Sequence, residues 1–362
     1  NTTAHKGNVP LGAGRVVTLD LGGPVQLEVK EGAPQALIEN GGAIRADAGK
    51  ILLTARAAET LASTVINNTG LIEARSLDIG ENGLVTLMGD QGGVQVAGRI
   101  DVSSDTAKGG KIVVTGDRVA INGGAELDAT GAKGGGEIYV GGSWQGKDPA
   151  IKQASQTTVA AGAVLDASAT DNGKGGTVVA WSDVKKPGSL TRVDGTLKAT
   201  GGAKGGDGGK IETSGAKLAV SKAADASAKK GKGGLWLLDP DSVTVGPGNG
   251  GLTGGANGAA VTVGFNAIDT ALAGGTDVAI KADNSIHWNG DYTPTSISGD
   301  RTLTLQPGHN DGGTGRYVFG NIFLNGDIDA SGAGNGNSLA LILNGKIALN
   351  TDVSLKSNGG NV

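Results

Sequence analysis

The chain has 362 residues, of which 68 are glycine, 3% are aromatic and none is cysteine. Its formal net charge of −4 lacks the basic balance typical of nucleic-acid binders, and the absence of cysteine excludes disulfides and thiol chemistry. No apolar run reaches the ~18 residues of a transmembrane helix. Hydrophobic residues make up 38% of the chain and fall in short β-branched clusters, so we expect a folded, repetitive β-structure that neither binds nucleic acid nor inserts into a membrane.

The N-terminal segment is predicted to form two strands. Arg15–Leu19 and Val25–Val29 alternate polar and apolar residues, and Gly22-Gly23-Pro24 separates them. The single methionine is Met88, from which we expect the chain to be a processed or excised segment of a longer protein.

One sequence unit then recurs along most of the chain, and Leu165-Asp166-Ala167-Ser168 is its clearest copy. Copies begin at residues 44, 72, 100, 127, 165, 197 and 224, in steps of 28, 28, 27, 38, 32 and 27, and a further copy begins at Ile328. Periods of this size are typical of solenoid proteins.

Each period holds about three short strands separated by Gly, Asn or Asp turns. Gly135-Gly136-Glu137-Ile138 opens one such strand, and Val119-Ala120-Ile121 is another. Three strands and three corners predict one rung of a parallel β-helix, in which rungs stack ~4.8 Å apart and inward side chains form apolar ladders. We divide the chain into an N-terminal part (1–35), a regular rod (36–240) and less regular rungs (241–362).

Three segments interrupt the repeat. Ala55–Ala62 and Asn266–Ala273 contain good helix formers, and Gly274-Gly275 ends the second, so both are predicted to be short helices beside the rod. The 38-residue step contains Gly141–Pro149, which predicts a loop extruded from a corner.

Six segments of the chain are distinctive when taken together: Ala36–Ala46, Ile51–Ala55, Val65–Gly70, Trp144–Gly146, Gly176–Asp183 and Gly234–Pro240. They resemble the filamentous-haemagglutinin family, the large exoproteins of two-partner secretion in Gram-negative bacteria. The resemblance covers about residues 10 to 245 well and 246 to 362 loosely. It implies a right-handed parallel β-helix that is exported through an outer-membrane transporter and is secreted or associated with the cell surface.

The chain departs from this family at one point. The family's secretion domain has Asn-Pro-Asn-type motifs near its start, and no Asn-Pro pair occurs here. We therefore interpret residues 1–35 as the tail of the secretion-type β-helix domain and place transporter recognition mostly upstream of this segment.

The resemblance implies a rod-like adhesin or biofilm-matrix segment that attaches cells to each other or to polysaccharide. One alternative is the stalk of a contact-dependent toxin-delivery exoprotein. A further alternative is a polysaccharide-degrading β-helix enzyme, but the chain lacks a dense acidic cluster with aromatic walls, and His5, His287 and His309 are scattered. We expect no enzymatic activity, no catalytic residues and no cofactor.

Aromatic residues that have polar neighbours are the candidate ligand-binding residues, because such rings can stack on sugars. The stronger candidate is Trp144 with Gln145 and Lys147, in the predicted loop; Trp288 with Tyr292 is the second. For each tryptophan, packing against the rod is the preferred interpretation, and glycan contact is the alternative that we keep open. The possible ligands are an exopolysaccharide or a surface glycan of host or bacterial cells.

Two charged features complete the prediction. The corner aspartates could bind calcium, but they are better interpreted as Asx-type turns, in which a short carboxylate accepts a nearby backbone N–H, and we predict no metal site. The lysine-rich turn Ser227–Gly233 is a local basic patch that is best interpreted as a solvated corner; the alternative is contact with an anionic polysaccharide or extracellular DNA. The corner aspartates are Asp101, Asp128, Asp166, Asp225 and Asp329.

Overall fold

The structure, a computed structural model, describes residues 1–4, 7–20, 26–58, 64–75, 83–250, 262–310, 317–331, 337–349 and 353–357. Up to residue 140 the strands are β1 (Thr2–Thr3), β2 (Asn8–Ala13), β3 (Val16–Asp20), β4 (Gln26–Glu31), β5 (Ile38–Asn40), β6 (Ala43–Arg45), β7 (Lys50–Arg56), β8 (Thr64–Asn68), β9 (Leu71–Glu73), β10 (Leu84–Asp90), β11 (Gly93–Val96), β12 (Arg99–Asp101), β13 (Lys111–Thr115), β14 (Arg118–Ile121), β15 (Glu126–Asp128) and β16 (Glu137–Val140).

The elements after residue 155 continue the same alternation and add one helix. They are β17 (Gln156–Val159), β18 (Val164–Asp166), β19 (Thr177–Trp181), β20 (Leu190–Val193), β21 (Thr196–Lys198), β22 (Lys210–Gly215), β23 (Lys217–Val220), β24 (Leu235–Pro240), β25 (Ser242–Gly246), β26 (Val263–Gly264), α1 (Phe265–Gly274), β27 (Asp277–Ala282), β28 (Ser285–Trp288), β29 (Arg301–Asn310), β30 (Tyr317–Phe319), β31 (Asn321–Leu324), β32 (Ile328–Asp329), β33 (Leu339–Leu343), β34 (Lys346–Leu349) and β35 (Leu355–Lys356).

Most of these strands form three long sheets that the chain visits in turn, which confirms the predicted all-β parallel β-helix; β3 with β4 and β32 with β35 form two separate pairs. Sheet A has the order β1-β6-β9-β12-β15-β18-β21. Sheet B runs β2-β7-β10-β13-β16-β19-β22-β24-β27-β29-β30, with β33 also on β29, and sheet C runs β34-β31-β28-β25-β26-β23-β20-β17-β14-β11-β8-β5. Neighbouring strands in the three sheets are parallel, apart from β29 and β30. Sheets B and C continue across residue 240.

The predicted repeat is confirmed residue by residue in sheet A. Its inward positions are apolar and pair one above another, so each rung buries its inner face on the next. Their side chains are 5% exposed or less. The ladder runs through Ile44, Ile72, Ile100, Leu127, Leu165 and Leu197.

Sheet B has an equivalent ladder that contains Trp236. Trp236 lies inside this ladder, between Ile211 and Val278, and is 0% exposed. Its indole N–H donates to the Thr213 hydroxyl at 3.1 Å. This bond gives a partner to the one polar atom of the side chain, which burial removes from water.

The predicted strands of the N-terminal segment are confirmed as an antiparallel hairpin of β3 and β4. The helix predicted over Asn266–Ala273 is confirmed as α1, and Gly275 ends it in the left-handed conformation with φ 95°. The helix predicted over Ala55–Ala62 is wrong at its start, because Ala55 and Arg56 belong to β7 and pair with β10. Its residues 59–62 lie outside the described residues.

The loop predicted over Gly141–Pro149 leaves the rod at the corner between β16 and β17, but it is not extruded. Residues 141–155, which we call the strap, lie back across the outer face of sheet B. No helix in the described ranges is long and apolar enough to cross a bilayer.

Candidate functional site

Hydrogen bonds and ion pairs anchor the strap to sheet B. The Trp181 indole N–H on β19 donates to the Gln153 side chain at 2.9 Å. The Lys152 ammonium reaches Asp90 and Asp117, each at 2.7 Å. These partners come from several different rungs, so the strap is held in place on the rod as part of the folded structure.

The strap covers Glu212, which lies on the outer face of β22 and is nevertheless 0% exposed. The Gln145 backbone N–H donates to one carboxyl oxygen at 2.7 Å, and the Ser214 hydroxyl donates to the other at 3.0 Å. Burial raises the pKa of Glu212 to about 8 in spite of these bonds, and nearby Asp239 adds to the shift. This carboxyl group is therefore mostly neutral near pH 7.

Asp239 on β24 lies partly exposed on the same face. Burial raises its pKa to about 7, and the charge of Asp283 adds to the shift while Lys281 opposes it. This acidic neighbourhood was not predicted from the sequence. Glu212 has no exposed surface, however, so a substrate could not reach it without movement of the strap.

The strap positions the first predicted ligand-binding group. Trp144 and Gln145 are partly exposed and Lys147 is exposed, and Trp144 opens a 3₁₀ turn that ends at Gly146. The Lys147 ammonium donates to the Gln145 side-chain oxygen at 2.7 Å. The Trp144 ring also lies 5.7 Å from the Lys210 ammonium, within the range of a cation–π contact. The three predicted residues are thus together and reachable from solvent.

The second predicted group is buried. Trp288 is 0% and Tyr292 3% exposed, and both pack against Phe265 at the start of α1, with ring centroids 5.0 and 5.1 Å from its ring. Their polar neighbours in sequence suggested exposure, but the helix covers them. In this conformation a ligand at the surface cannot stack on either ring.

The five corner aspartates act as predicted for Asx-type turns. In each, one carboxyl oxygen accepts the backbone N–H of the residue two positions later, at 2.9 to 3.0 Å. Their carboxylates are thus committed to the corner. The described residues contain no group of three or more His, Cys, Asp or Glu side chains that could hold a metal ion. His287 stacks on Phe323, 4.6 Å between ring centroids, and is not near another histidine in sequence.

A groove of about 620 Å³ runs along the corner where the chain passes from sheet A to sheet B. Paired glycines form its floor. Only glycine fits there, because a Cβ would overlap the backbone of the neighbouring rung. A Cβ on Gly176, for example, would collide with the Gly136 carbonyl oxygen. Exposed lysines line its sides. We call this feature the lysine groove, and its lysines are Lys108, Lys133, Lys174, Lys210 and Lys232.

The lysine groove was missed by the sequence reasoning, which considered only the basic turn at 227–233. A signal was present, since a lysine directly precedes paired glycines at residues 108, 133, 174 and 232. Only the registered stacking of rungs shows that these lysines lie along a single groove.

No family model and no curated protein matches the chain. Among solved structures, the chain is similar to the crystal structure of the HMW1 secretion domain from Haemophilus influenzae, with a TM-score of 0.54 and 29% sequence identity. The match covers 66% of this chain and 58% of that one, so the chain spans somewhat more than half the length of that domain.

Proposed function

We propose that this chain is a segment of a two-partner secretion exoprotein of a Gram-negative bacterium, exported through an outer-membrane transporter. The observation that carries this proposal is the likeness to the HMW1 secretion domain, at 29% identity, on a β-helix that the repeat predicts independently. The resemblance of the sequence points to the same export route. Assignment to the filamentous-haemagglutinin family in particular stays a prediction.

The extent of the match bears on the predicted division of the chain. A match over 66% of 362 residues extends far beyond residues 1–35. We therefore propose that the secretion-type part includes rungs of the rod, and that these contribute to recognition by the transporter.

Once exported, the rod would act as a non-enzymatic adhesin or matrix segment at the cell surface. Its long lateral face can repeat weak contacts, which add as avidity. Trp144 with Gln145 and Lys147 is the proposed glycan contact, since it combines an accessible ring with polar groups. The buried position of Glu212 favours a non-enzymatic role, because burial under the strap and the charge of Asp239 account for its raised pKa.

Export can be tested by expressing the chain behind a cleavable signal peptide in a Gram-negative host, with and without a co-expressed two-partner transporter. We expect the protein in the medium only when the transporter is present. Release that is equal without the transporter would contradict the proposed route.

Adhesion can be tested with the purified chain on a glycan array and in a cell-adherence assay. We expect Trp144→Ala to weaken glycan binding, and Phe319→Ala, which removes an exposed aromatic ring on β30, to leave it unchanged. Transporter-dependent export without any adherence would instead favour the stalk of a toxin-delivery protein.

A further inference from the structure

We propose that the lysine groove binds a linear acidic polysaccharide through the carboxylates of its sugar units. This inference rests on the proposed surface function and names the class of ligand. It starts from the placement of lysines: in four corners of the rod, a lysine directly precedes the paired glycines that the fold requires.

The stacking of rungs fixes the spacing of these lysines. Lys108 forms an isolated parallel bridge with Gly134, next to Lys133, so the two lysines lie at neighbouring rungs. Rungs of a β-helix repeat every ~4.8 Å, because backbone hydrogen bonds set the distance between strands. Lysines therefore recur along the axis at the rungs of Lys108, Lys133, Lys174 and Lys232. The rung between the last two has Asp207 at this position and Lys210 three residues later.

The acidic residues that line the groove already have cationic partners. Asp207 lies 3.1 Å from the Lys174 ammonium, and the Lys232 backbone N–H together with Lys174 holds its pKa below the usual range. Glu137 lies 3.7 Å from Lys111, and Asp277 lies 3.4 Å from Arg301.

Three groove lysines, in contrast, are available to a ligand. Within the described ranges, no carboxylate lies within 4 Å of the ammonium of Lys108, Lys210 or Lys232, and all three residues are exposed. The Lys210 ammonium lies 5.7 Å from the centre of the Trp144 ring. The groove therefore offers unpaired positive charge above a floor of peptide groups.

The shape and surroundings of the groove favour a polysaccharide over nucleic acid. Its floor has no side chains, so a narrow chain can approach the backbone closely. Trp144 stands beside Lys210 and supplies a surface on which a sugar ring can stack. The net charge of −4 repels a polyanion as densely charged as duplex DNA, whereas carboxylates spaced along a sugar chain need only the local cations.

The test uses polygalacturonate as the acidic probe, dextran as the neutral probe and duplex DNA as the competing polyanion, with binding to the full chain measured by calorimetry. One variant combines Lys108→Ala, Lys210→Ala and Lys232→Ala. A matched control combines Lys185→Ala, Lys186→Ala and Lys217→Ala, which removes the same charge from exposed lysines outside the groove. Circular dichroism checks that both variants fold.

We expect polygalacturonate to bind the native chain and the control variant, and to bind the groove variant roughly tenfold more weakly, as three exposed ion pairs predict. Binding should weaken with added salt. An equal loss in both variants, equal binding of dextran, or tighter binding of DNA through the same lysines would each overturn the proposal. Transporter-dependent export and adherence are measured in separate experiments. A chain that is exported and adheres but does not bind polygalacturonate would therefore contradict the groove proposal alone.

Discussion

The buried carboxyl of Glu212 predicts a pH dependence of stability that a single substitution should remove. In the folded chain its pKa is raised to about 8, above the ordinary 4.5 that we take for the unfolded chain. Between these values the folded chain binds more protons than the unfolded chain, so its stability falls as pH rises. The stabilisation is complete below pH 4.5 and is lost once pH has risen through 8.

The size of the effect follows from the shift. Each pH unit in this window changes the free energy of unfolding by at most ~1.4 kcal/mol for one group. The slope is smaller near each pKa, so the change between pH 5 and pH 8 is ~3 to 4 kcal/mol. Glu212→Gln resembles the neutral carboxyl and keeps an acceptor for the Gln145 N–H. Asp239 titrates in both proteins and its charge acts on Glu212, so the difference between them reports Glu212 together with its coupling to Asp239.

Urea unfolding at pH 5 and pH 8 measures this difference. Tryptophan fluorescence is the signal, since two of the four tryptophans, Trp144 and Trp181, lie in or under the strap. We expect Glu212→Gln to match the native chain at pH 5 and to be more stable at pH 8. Glu39→Gln, at an exposed glutamate on β5, should leave the pH dependence unchanged. Parallel pH profiles for the native chain and Glu212→Gln would refute the assigned protonation state.

The remaining predictions concern the rungs. Gly176→Ala should lower the melting temperature strongly, since its Cβ would overlap the Gly136 carbonyl, whereas Gly274→Ala in α1 meets no atom within 4 Å and should be neutral or stabilising; equal effects would contradict the need for glycine at the corner. Trp236→Ala should lower the free energy of unfolding, measured with urea, by ~3–5 kcal/mol. A loss below ~1 kcal/mol would show that neighbouring side chains move into the cavity. Asp166→Ala should lower the free energy of unfolding by ~1 kcal/mol, because one corner hydrogen bond is lost. Adding a chelator to the native chain should not shift its melting temperature; a large shift would reveal a structural ion.

The rungs could be predicted because stacking requires an apolar inward residue at the same position in every period. Leu127 and Leu165 are 38 residues apart in sequence and still pair directly, since the strap absorbs the extra residues. Local helix propensity failed at Ala55, where pairing with β10 overrides the preference of the segment.

The site could be predicted only in part. Trp144 was placed correctly in an accessible loop because that loop interrupts the period. Trp288 was misjudged, since its polar neighbours in sequence say nothing about a helix that packs over it from 23 positions earlier in the chain, at Phe265. The contact of Gln145 with Glu212 spans 67 residues and has no local signature.

The strap also changes how the rod would respond to force. In a solenoid each repeat contacts only its neighbours, so rungs can detach one at a time. Here Lys152 holds Asp90 at the end of β10 and Asp117 after β13, while Gln145 holds Glu212 on β22. Five successive strands of sheet B are thereby fastened by one segment. A force applied along the axis would have to release these strands together. This part of the rod should therefore unfold in a single large step, while the rungs beyond it unfold one at a time.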